Sequence, residues 1–452
     1  MEQKITAQRN FFRRGQTREL AFRDTMLKRM EQGMRKHEAA LLEALAVDLG
    51  KSAFEAYTTE LAPVFSELAR MRKNLKRWAA PTKKKSARAV LPARSYVQAE
   101  PYGVVLILSP WNYPLQLALI PLLSALAAGN CVILKPSEQA PHVSHAIADL
   151  LAEEFPEEYV CVMEGDVSIA ARLLAQEFDY IFYTGSATVG KTVMTAAAQH
   201  LTPVTLELGG KSPCILAEDA DLDLAAKRIV WGKLLNAGQT CVAPDHVWLR
   251  VEQRLPFVDY VEKWLNCFLG ETALENPDFA RMVNEKQFKR VVSLIEPEKV
   301  VLGGGTDIET LRIEPTVLWH VRERDAVMQE EIFGPVLPIL TYHNLDALIA
   351  HLQTKEKPLA LYLFTKSKKT ERKVMNTLSF GGGCVNDTMV HVIADLPFGG
   401  VGTSGMGAYH GKSGFDTFSH YKSLVYKGKF EVPLRYPPFD VRKIPLVKTF
   451  MG

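Results

Sequence analysis

The chain is 452 residues long, 47% hydrophobic and 23% charged, a globular composition too long for one core, and about 150 residues per domain suggests roughly three. Its 54 basic and 51 acidic residues leave a net charge of +3, which gives no global electrostatic ground for a nucleic-acid partner. The 6 cysteines form neither a CxxC pair nor a Cys/His cluster at zinc spacing, so reduced thiols in a cytoplasmic protein are expected, with no disulfide framework and no metal.

The amino terminus, MEQKITAQRNFFRRGQTREL, has no apolar stretch of signal length. No run reaches the roughly 18 apolar residues of a membrane span, and the carboxyl end, KIPLVKTFMG, is short and mixed. Residues 17–79 are charged and periodic and read as long surface helices. The stretch 80–101 is rich in Pro, Lys and Arg, with short β-type pieces, and reads as an excursion from the main body. Its Lys83–Lys85 run with Arg88 is better explained as a solvated segment than as a binding patch.

From 102 the rhythm changes. Strands are predicted at 103–108, 131–134, 159–162, 180–184 and 204–208, alternating with helices at 115–128, 142–154, 168–175 and after Gly190. Continuous apolar strands between helices define a doubly wound parallel sheet. After 210 a second alternation predicts a helix at 222–235, a strand at 246–251, helices to about 295 and an ambiguous helix or strand entry at 358–365. The fold class is therefore α/β, with a second domain of the same kind. Ligands of such sheets bind beyond the carboxyl ends of the strands. Three polar motifs fall there: SPWN (109–112), KPSE (135–138) and the loop opening at Gly185.

That loop, GSATVGKT (185–192), matches the phosphate-loop pattern between a strand and a helix. A phosphate-loop ATPase would also need a magnesium-binding acid after an apolar strand. The nearest candidate, ILAED (215–219), follows Pro213 and is poorly shaped for the role.

Other residues suggest acyl chemistry. Cys241 ends the Gly-containing run NAGQTC (236–241); alone, it reads as a buried structural thiol. Glu207, however, is a charge inside the apolar strand LELGG (206–210), and burying it unpaired is costly. A thiol with a nearby base is a workable acyl-transfer pair. Asn112, at a strand end, can donate to an oxyanion or simply form a turn. Glu331 and Phe333, in EIFGP (331–335), group acid, aromatic and turn residues, or mark a solvated helix end.

SPWNYPLQLALIPLLSALAAGNCVILKPSE (109–138), FYTGSATVGK (182–191), VTLELGGKSP (204–213), NAGQTCVAPD (236–245), QEEIFGPVLP (329–338) and LPFGGVGTSGMGAYHGKSGFDTFSH (396–420) occur in order. Together they resemble the NAD(P)-dependent aldehyde dehydrogenase superfamily. The segments GGGCVNDT (381–388) and MGAYHG (406–411) are similar to its class 3 branch.

The resemblance implies oxidation of an aldehyde to a carboxylic acid with NAD, NADP being tolerated. Cys241 would form a thiohemiacetal, its oxyanion held by Asn112 and the Cys241 N–H. Hydride would leave for the nicotinamide, and water activated by Glu207 would hydrolyse the thioester. Lys135 and Glu138 would hold the adenosine ribose; Gly185, Ser186 and Val189 the pyrophosphate side; Glu331 and Phe333 the nicotinamide ribose and ring. Tyr113, Leu235 and His391 would line a tunnel for medium- or long-chain aliphatic or aromatic aldehydes.

It also implies an NAD(P)-binding domain at 1–79 and 102–208 and a catalytic domain at 209–403. Residues 80–101 and 404–452 would be bridging and carboxyl-terminal segments of a homodimer. Class 3 relatives attached to membranes carry a hydrophobic tail, and the absence of one here points to a soluble enzyme. The alternatives are acyl transfer to coenzyme A, reduction of an activated acid, and a scaffold that has lost activity, although all three chemical residues are present.

Overall fold

The computed structural model describes residues 1–392, 395–430 and 436–451; residues 393–394 of the 209–403 segment, and 431–435 and 452 of the 404–452 segment, lie outside the described residues. A six-stranded sheet runs in the order Gly405–Met406, Val204–Glu207, Tyr180–Thr184, Val104–Leu108, Cys131–Lys135, Val160–Val162. All its pairings are parallel except that of Gly405–Met406. Val104–Leu108, Cys131–Lys135 and Tyr180–Thr184 are buried along their whole length, as strands covered by helices on both faces must be.

The amino-terminal helices contribute to that cover. Leu20–Lys36 buries Leu27, Met30 and Met34, Glu38–Leu49 buries Leu41 and Leu45, and Ala62–Ala79 buries Leu68 and Met71, all in the core of the sheet. The expectation of surface helices is corrected accordingly: their charges form only the outer faces of a packed layer.

A seven-stranded sheet runs Val300–Leu302, Thr316–Leu318, Val336–Tyr342, His246–Arg250, Pro213–Leu216, Ala360–Phe364, Gly382–Val385, again parallel apart from one edge. The ambiguous stretch at 358–365 is the buried strand Ala360–Phe364. The excursion at 80–101 forms strands Thr82–Lys84 and Ala93–Pro101, which join Ser419–Lys427 in a small antiparallel sheet.

The two large sheets meet end to end. Glu207 is the last residue of a strand in the first, and Pro213 the first residue of a strand in the second. Ser212 ties three strand entrances together: its carbonyl accepts from the Asp245 N–H at 2.9 Å and its hydroxyl from the Ala360 N–H at 3.2 Å. The carboxyl ends of the first sheet therefore face the amino ends of the second.

Candidate active site

The first wall of this junction is set by strand register. Lys135 lies level with Leu108, Leu108 with Tyr183, and Tyr183 with Leu206, so four strand ends form one row. Beyond Thr184 the chain turns at Gly185, whose N–H donates to the Glu207 carbonyl at 3.0 Å. A Cβ on Gly185 would stand 2.2 Å from the Tyr183 hydroxyl, so no side chain fits this cradle. Ser186 caps the Ala187–Ala198 helix by accepting from the Val189 N–H, which presents a dipole-positive helix start beside the cradle.

This geometry corrects one expectation. The helix opens at Ala187, before Gly190, because Ser186 supplies the cap. Gly190 sits within it, packed so closely on Leu208 that a Cβ would lie 2.8 Å from that side chain. Lys191 and Thr192 are exposed residues of this helix, and the Thr192 hydroxyl donates to the Thr188 carbonyl. They are not arranged as the cation and metal ligand of an ATPase. Val189 is exposed on the same turn. Lys135 donates to Glu138 at 2.7 Å and to the Pro136 carbonyl at 2.9 Å, so the two expected ribose contacts are already paired with each other.

A cleft of about 920 Å³ separates this wall from the second, with Ser186, Lys191, Leu208, Gly209, Lys211 and Glu331 among its lining. Such a volume suits a dinucleotide or a drug-sized ligand. The side-chain-free cradle at Gly185, the capped helix start and the adjoining cleft together fit a pyrophosphate-bearing cofactor.

The second wall carries the thiol. Asn236 and Ala237 adopt left-handed conformations, φ 52° and 51°, just before Gly238 at φ 76°. Gly238 presses on the next loop, where a Cβ would meet the Gly334 carbonyl at 2.4 Å. Gln239 fastens the turn to a third segment, donating to the Arg281 carbonyl and accepting from the Val283 N–H, each at 3.0 Å. The buried Asn112 amide donates to the Gln239 carbonyl at 3.0 Å, and the Asn112 carbonyl accepts from Asn236 Nδ2 at 2.7 Å. Asn112 and the Cys241 loop thus interlock.

Cys241 is half-buried, and burial, with Glu331 and Glu207 close by, pushes its thiol well above the usual range. Glu207 is 2% exposed, and neither carboxylate oxygen has a hydrogen-bond partner among the described residues. Burial alone lifts its carboxyl well above the ordinary carboxylate range. Leu206 and Leu208 on either side of it line the cleft, and such a perturbed, unsatisfied group beside a cleft is a mark of function.

Glu331 is half-buried rather than on a solvated helix end: the Ala326–Gln329 helix stops before it. Its carboxyl lies where a Gly209 Cβ would be, 2.0 Å from one oxygen, so only glycine fits. Burial, then Asp245, raise that carboxyl to about 8. Phe333, at φ 51°, meets the Trp111 ring edge-on at 5.4 Å.

Lys211 and Asp245 lie within the sequence motifs, yet reasoning from sequence assigns them no role. Lys211 donates to Asp245 at 2.5 Å, the Glu330 carbonyl at 2.7 Å and the Val327 carbonyl at 2.9 Å. Asp245 also accepts from the Ile332 N–H at 3.0 Å, so this pair pins the loop carrying Glu331 and Phe333. Burial would raise the Asp245 carboxyl, but Lys211, His246 and Lys233 outweigh it and hold the group well below the usual range. The available signal is a Lys and an Asp each flanking a motif glycine or proline.

The expected tunnel residues each stand one step from the thiol loop. The Tyr113 hydroxyl pairs with Thr240 Oγ1 at 2.8 Å. Leu235 opens the turn that continues into Asn236. His391 packs on Tyr362 at 6.0 Å, and the Tyr362 hydroxyl donates to the Val242 carbonyl at 2.5 Å. Burial lowers the His391 imidazole to about 4, so it acts as a neutral aromatic surface.

Two wound sheets meet at a dinucleotide-sized cleft, with a thiol and a carboxylate that has no partner among the described residues set near it, the architecture of a dinucleotide-dependent α/β enzyme. The model of the aldehyde dehydrogenase family matches residues 1–424. The chain is 44% identical over 454 residues to 4,4'-diaponeurosporen-aldehyde dehydrogenase of Staphylococcus aureus, covering 100% of this chain and 99% of the relative. It is 44% identical over 434 residues to the dimeric NADP-preferring aldehyde dehydrogenase of Rattus norvegicus, covering 95% and 96%. A solved structure of the substrate-bound state of Staphylococcus aureus AldH superposes with a TM-score of 0.98 at 44% identity, covering 100% and 99%.

The chain belongs to the aldehyde dehydrogenase family. It is an NAD(P)-dependent enzyme that oxidises aldehydes to carboxylic acids. These relatives favour that reaction over acyl transfer to coenzyme A. Among the described residues no helix is long and apolar enough to cross a membrane.

Proposed function

We propose that Cys241 is the nucleophile, Asn112 the oxyanion donor and Glu207 the base that activates water. The observation that carries this reading is the buried, unpartnered Glu207 carboxylate close to the Cys241 thiol.

Cys241 Sγ attacks the carbonyl carbon of the aldehyde, its proton passing to a neighbouring carboxylate, and gives a thiohemiacetal. One N–H of the Asn112 amide is held by the Gln239 carbonyl, so the other is free to meet the developing oxyanion with the Cys241 backbone N–H. Bound NAD(P)+ supplies the hydride acceptor that makes the carbon a thioester. Glu207 then takes a proton from water as its oxygen joins the acyl carbon; the C–S bond breaks and the carboxylic acid leaves. In its ionised form Glu207 is open to that water, because among the described residues no protein donor occupies its oxygens.

Lys135 and Glu138 would hold the adenosine ribose, Gly185, Ser186 and Val189 the pyrophosphate side, and Glu331 and Phe333 the nicotinamide end. A carboxylate at Glu138 accepts from a free 2′-hydroxyl and repels a 2′-phosphate, while its Lys135 partner softens the repulsion. NAD is therefore preferred and NADP tolerated.

Tyr113, Leu235 and the neutral His391 give the tunnel an apolar and aromatic lining, which suits medium- or long-chain aliphatic or aromatic aldehydes. The Staphylococcus aureus relative named 4,4'-diaponeurosporen-aldehyde dehydrogenase supports an aldehyde as substrate. Residues 1–79 with 102–208 act as the cofactor domain and 209–403 as the catalytic domain. Residues 80–101 and 404–452 bridge a homodimer, supported by the exposed Tyr421, Val425 and Tyr426 on the outer Ser419–Lys427 strand and by the dimeric rat relative. Unpaired cysteines suit a cytoplasmic setting.

The test is an aldehyde panel read by absorbance of reduced cofactor, with NAD and NADP in parallel, on wild type and Cys241→Ser. Apolar aldehydes should turn over best, with higher kcat/KM for NAD, and Cys241→Ser should abolish turnover while still binding cofactor. Turnover confined to small polar aldehydes, a roughly tenfold NADP preference, or activity in Cys241→Ser would each refute its part.

A further inference from the structure

Three charged side chains of one short segment reach the loops that carry Asn112 and Cys241. Gly50, left-handed at φ 65°, ends the Glu38–Leu49 helix, and Lys51 follows it. Ser52 caps the short Ala53–Ala56 helix that carries Glu55, and the π-helical turn Tyr57–Leu61 carries Glu60. The widened turn sets the two glutamates on different headings, one toward each loop.

Lys51 donates to Glu60 Oε1 at 2.7 Å, and both side chains are fully buried. The Lys51 ammonium also stands 4.0 Å from the centre of the Tyr113 ring and 3.5 Å from the Asn112 carbonyl. Glu60 Oε2 accepts from the Leu115 and Gln116 N–H groups at 3.2 and 3.0 Å, capping the Gln116–Ala128 helix that follows the Asn112 loop. Glu55 Oε1 accepts from the Asn236 N–H at 2.6 Å. Burial raises both carboxyls, and the Lys51 charge opposes it.

Asn236 is the residue whose position matters most. It is the first of two consecutive non-glycine residues in the left-handed region, a conformation that persists only where its surroundings over-determine it. Its side chain bonds the Asn112 carbonyl, and the Gln239 carbonyl just after it holds the Asn112 amide. A shift at 236 therefore displaces the oxyanion donor and the thiol loop relative to each other.

We propose that Glu55 is a positioning residue for acyl transfer, anchored by the Lys51–Glu60 pair: it pins Asn236 in its left-handed turn and so aligns Cys241 with the Asn112 amide. The inference rests on the roles given above to Cys241 and Asn112. Glu55 acts through Asn236, accepting from its N–H.

The test measures steady-state turnover, the pre-steady-state burst of reduced cofactor, and the unfolding midpoint in Glu55→Ala, Glu55→Gln and Glu55→Asp. The Ala variant should lose at least about tenfold in kcat and burst rate, with cofactor KM unchanged within about twofold. Gln keeps the acceptor oxygen and should recover to within about threefold of wild type. Asp withdraws that oxygen by one methylene and should behave like Ala, which keeps the test open where the Ala variant does not fold.

A wild-type burst rate in Ala or Asp overturns the proposal, as does equal loss in Gln and Ala, or a loss carried by cofactor KM. Activity in Cys241→Ser would sink the underlying assignment instead, so the two failures are distinguishable.

Discussion

The two walls of the cleft are built by different means. On the cofactor side, Lys135, Leu108, Tyr183 and Leu206 stand in one row because parallel strands pair in register, and the Gly185 loop hangs from that row by a backbone hydrogen bond. On the thiol side, the turn at 236–238 is left-handed and held by side chains from residues 55, 112 and 239. Regular structure can deliver a phosphate cradle almost free of side-chain support. The other wall sets the Cys241 loop against Asn112 through a left-handed turn of two non-glycine residues, and that strain is offset by side chains that include the distant Glu55.

The contrast is tested most directly at Glu207, the proposed base, which ends a strand of the first sheet. Glu207→Gln should slow thioester hydrolysis by about 10²–10³-fold while leaving the burst of reduced cofactor intact. An unchanged steady-state rate with no burst would remove Glu207 from the role.

The same variant carries a stability signature of opposite sign. A carboxyl whose pKa is raised on folding binds its proton more tightly in the native state. Stability therefore falls as pH rises above the unfolded pKa, and the loss ends once the folded pKa is passed; a gap of one between the two values costs about 1.4 kcal/mol. Since burial raises Glu207, Glu207→Gln should be more resistant to denaturant than wild type at pH 8 and lose that advantage near pH 4. A Gln variant less stable than wild type at pH 8 would show that the carboxylate is satisfied after all.

Asp245→Asn sharpens the comparison on the second wall. It weakens the charged pair with Lys211 and the grip on Ile332, so the Glu331–Phe333 loop should hold cofactor less well. Cofactor KM is expected to rise about tenfold, the worth of one charge-assisted hydrogen bond, with kcat changed by less than about threefold. A fall in kcat at constant KM would place the loop in the chemistry instead. The smallest effect belongs to Lys191→Ala. That side chain is an exposed helix residue on the register-built wall, so kcat and cofactor KM should each stay within about threefold; magnesium-dependent ATP turnover that vanished with Lys191 would revive the phosphate-loop reading.

The first wall is largely legible in the sequence. Strands predicted at 103–108, 131–134 and 180–184 are observed as Val104–Leu108, Cys131–Lys135 and Tyr180–Thr184, since fully buried parallel strands leave continuous apolar runs. The helix after the loop starts earlier than predicted because Gly190, a turn residue by type, serves close packing on Leu208 instead. Asn112, Glu207 and Cys241 stand out in the sequence as candidates, and the structure brings their segments together.

The supports of the second wall are not legible. Glu55 lies 181 residues from its partner Asn236, and in an acidic, periodic helix it reads as one more solvated charge. Asn236 and Ala237 carry no residue-type signal for a left-handed turn of two, because tertiary contacts and not local preference impose it.

The passage between the sheets is a ruler. Residues 208–212 lead from Glu207 to Pro213, six Cα-to-Cα steps that at about 3.4 Å each can span at most roughly 20 Å. The separation between Glu207 and the second sheet is thereby capped by covalent chain length. One added residue would lengthen the ruler by up to about 3.4 Å, several times the misplacement that acyl transfer tolerates. The passage is therefore a tether whose length limits how far the two walls of the cleft can part.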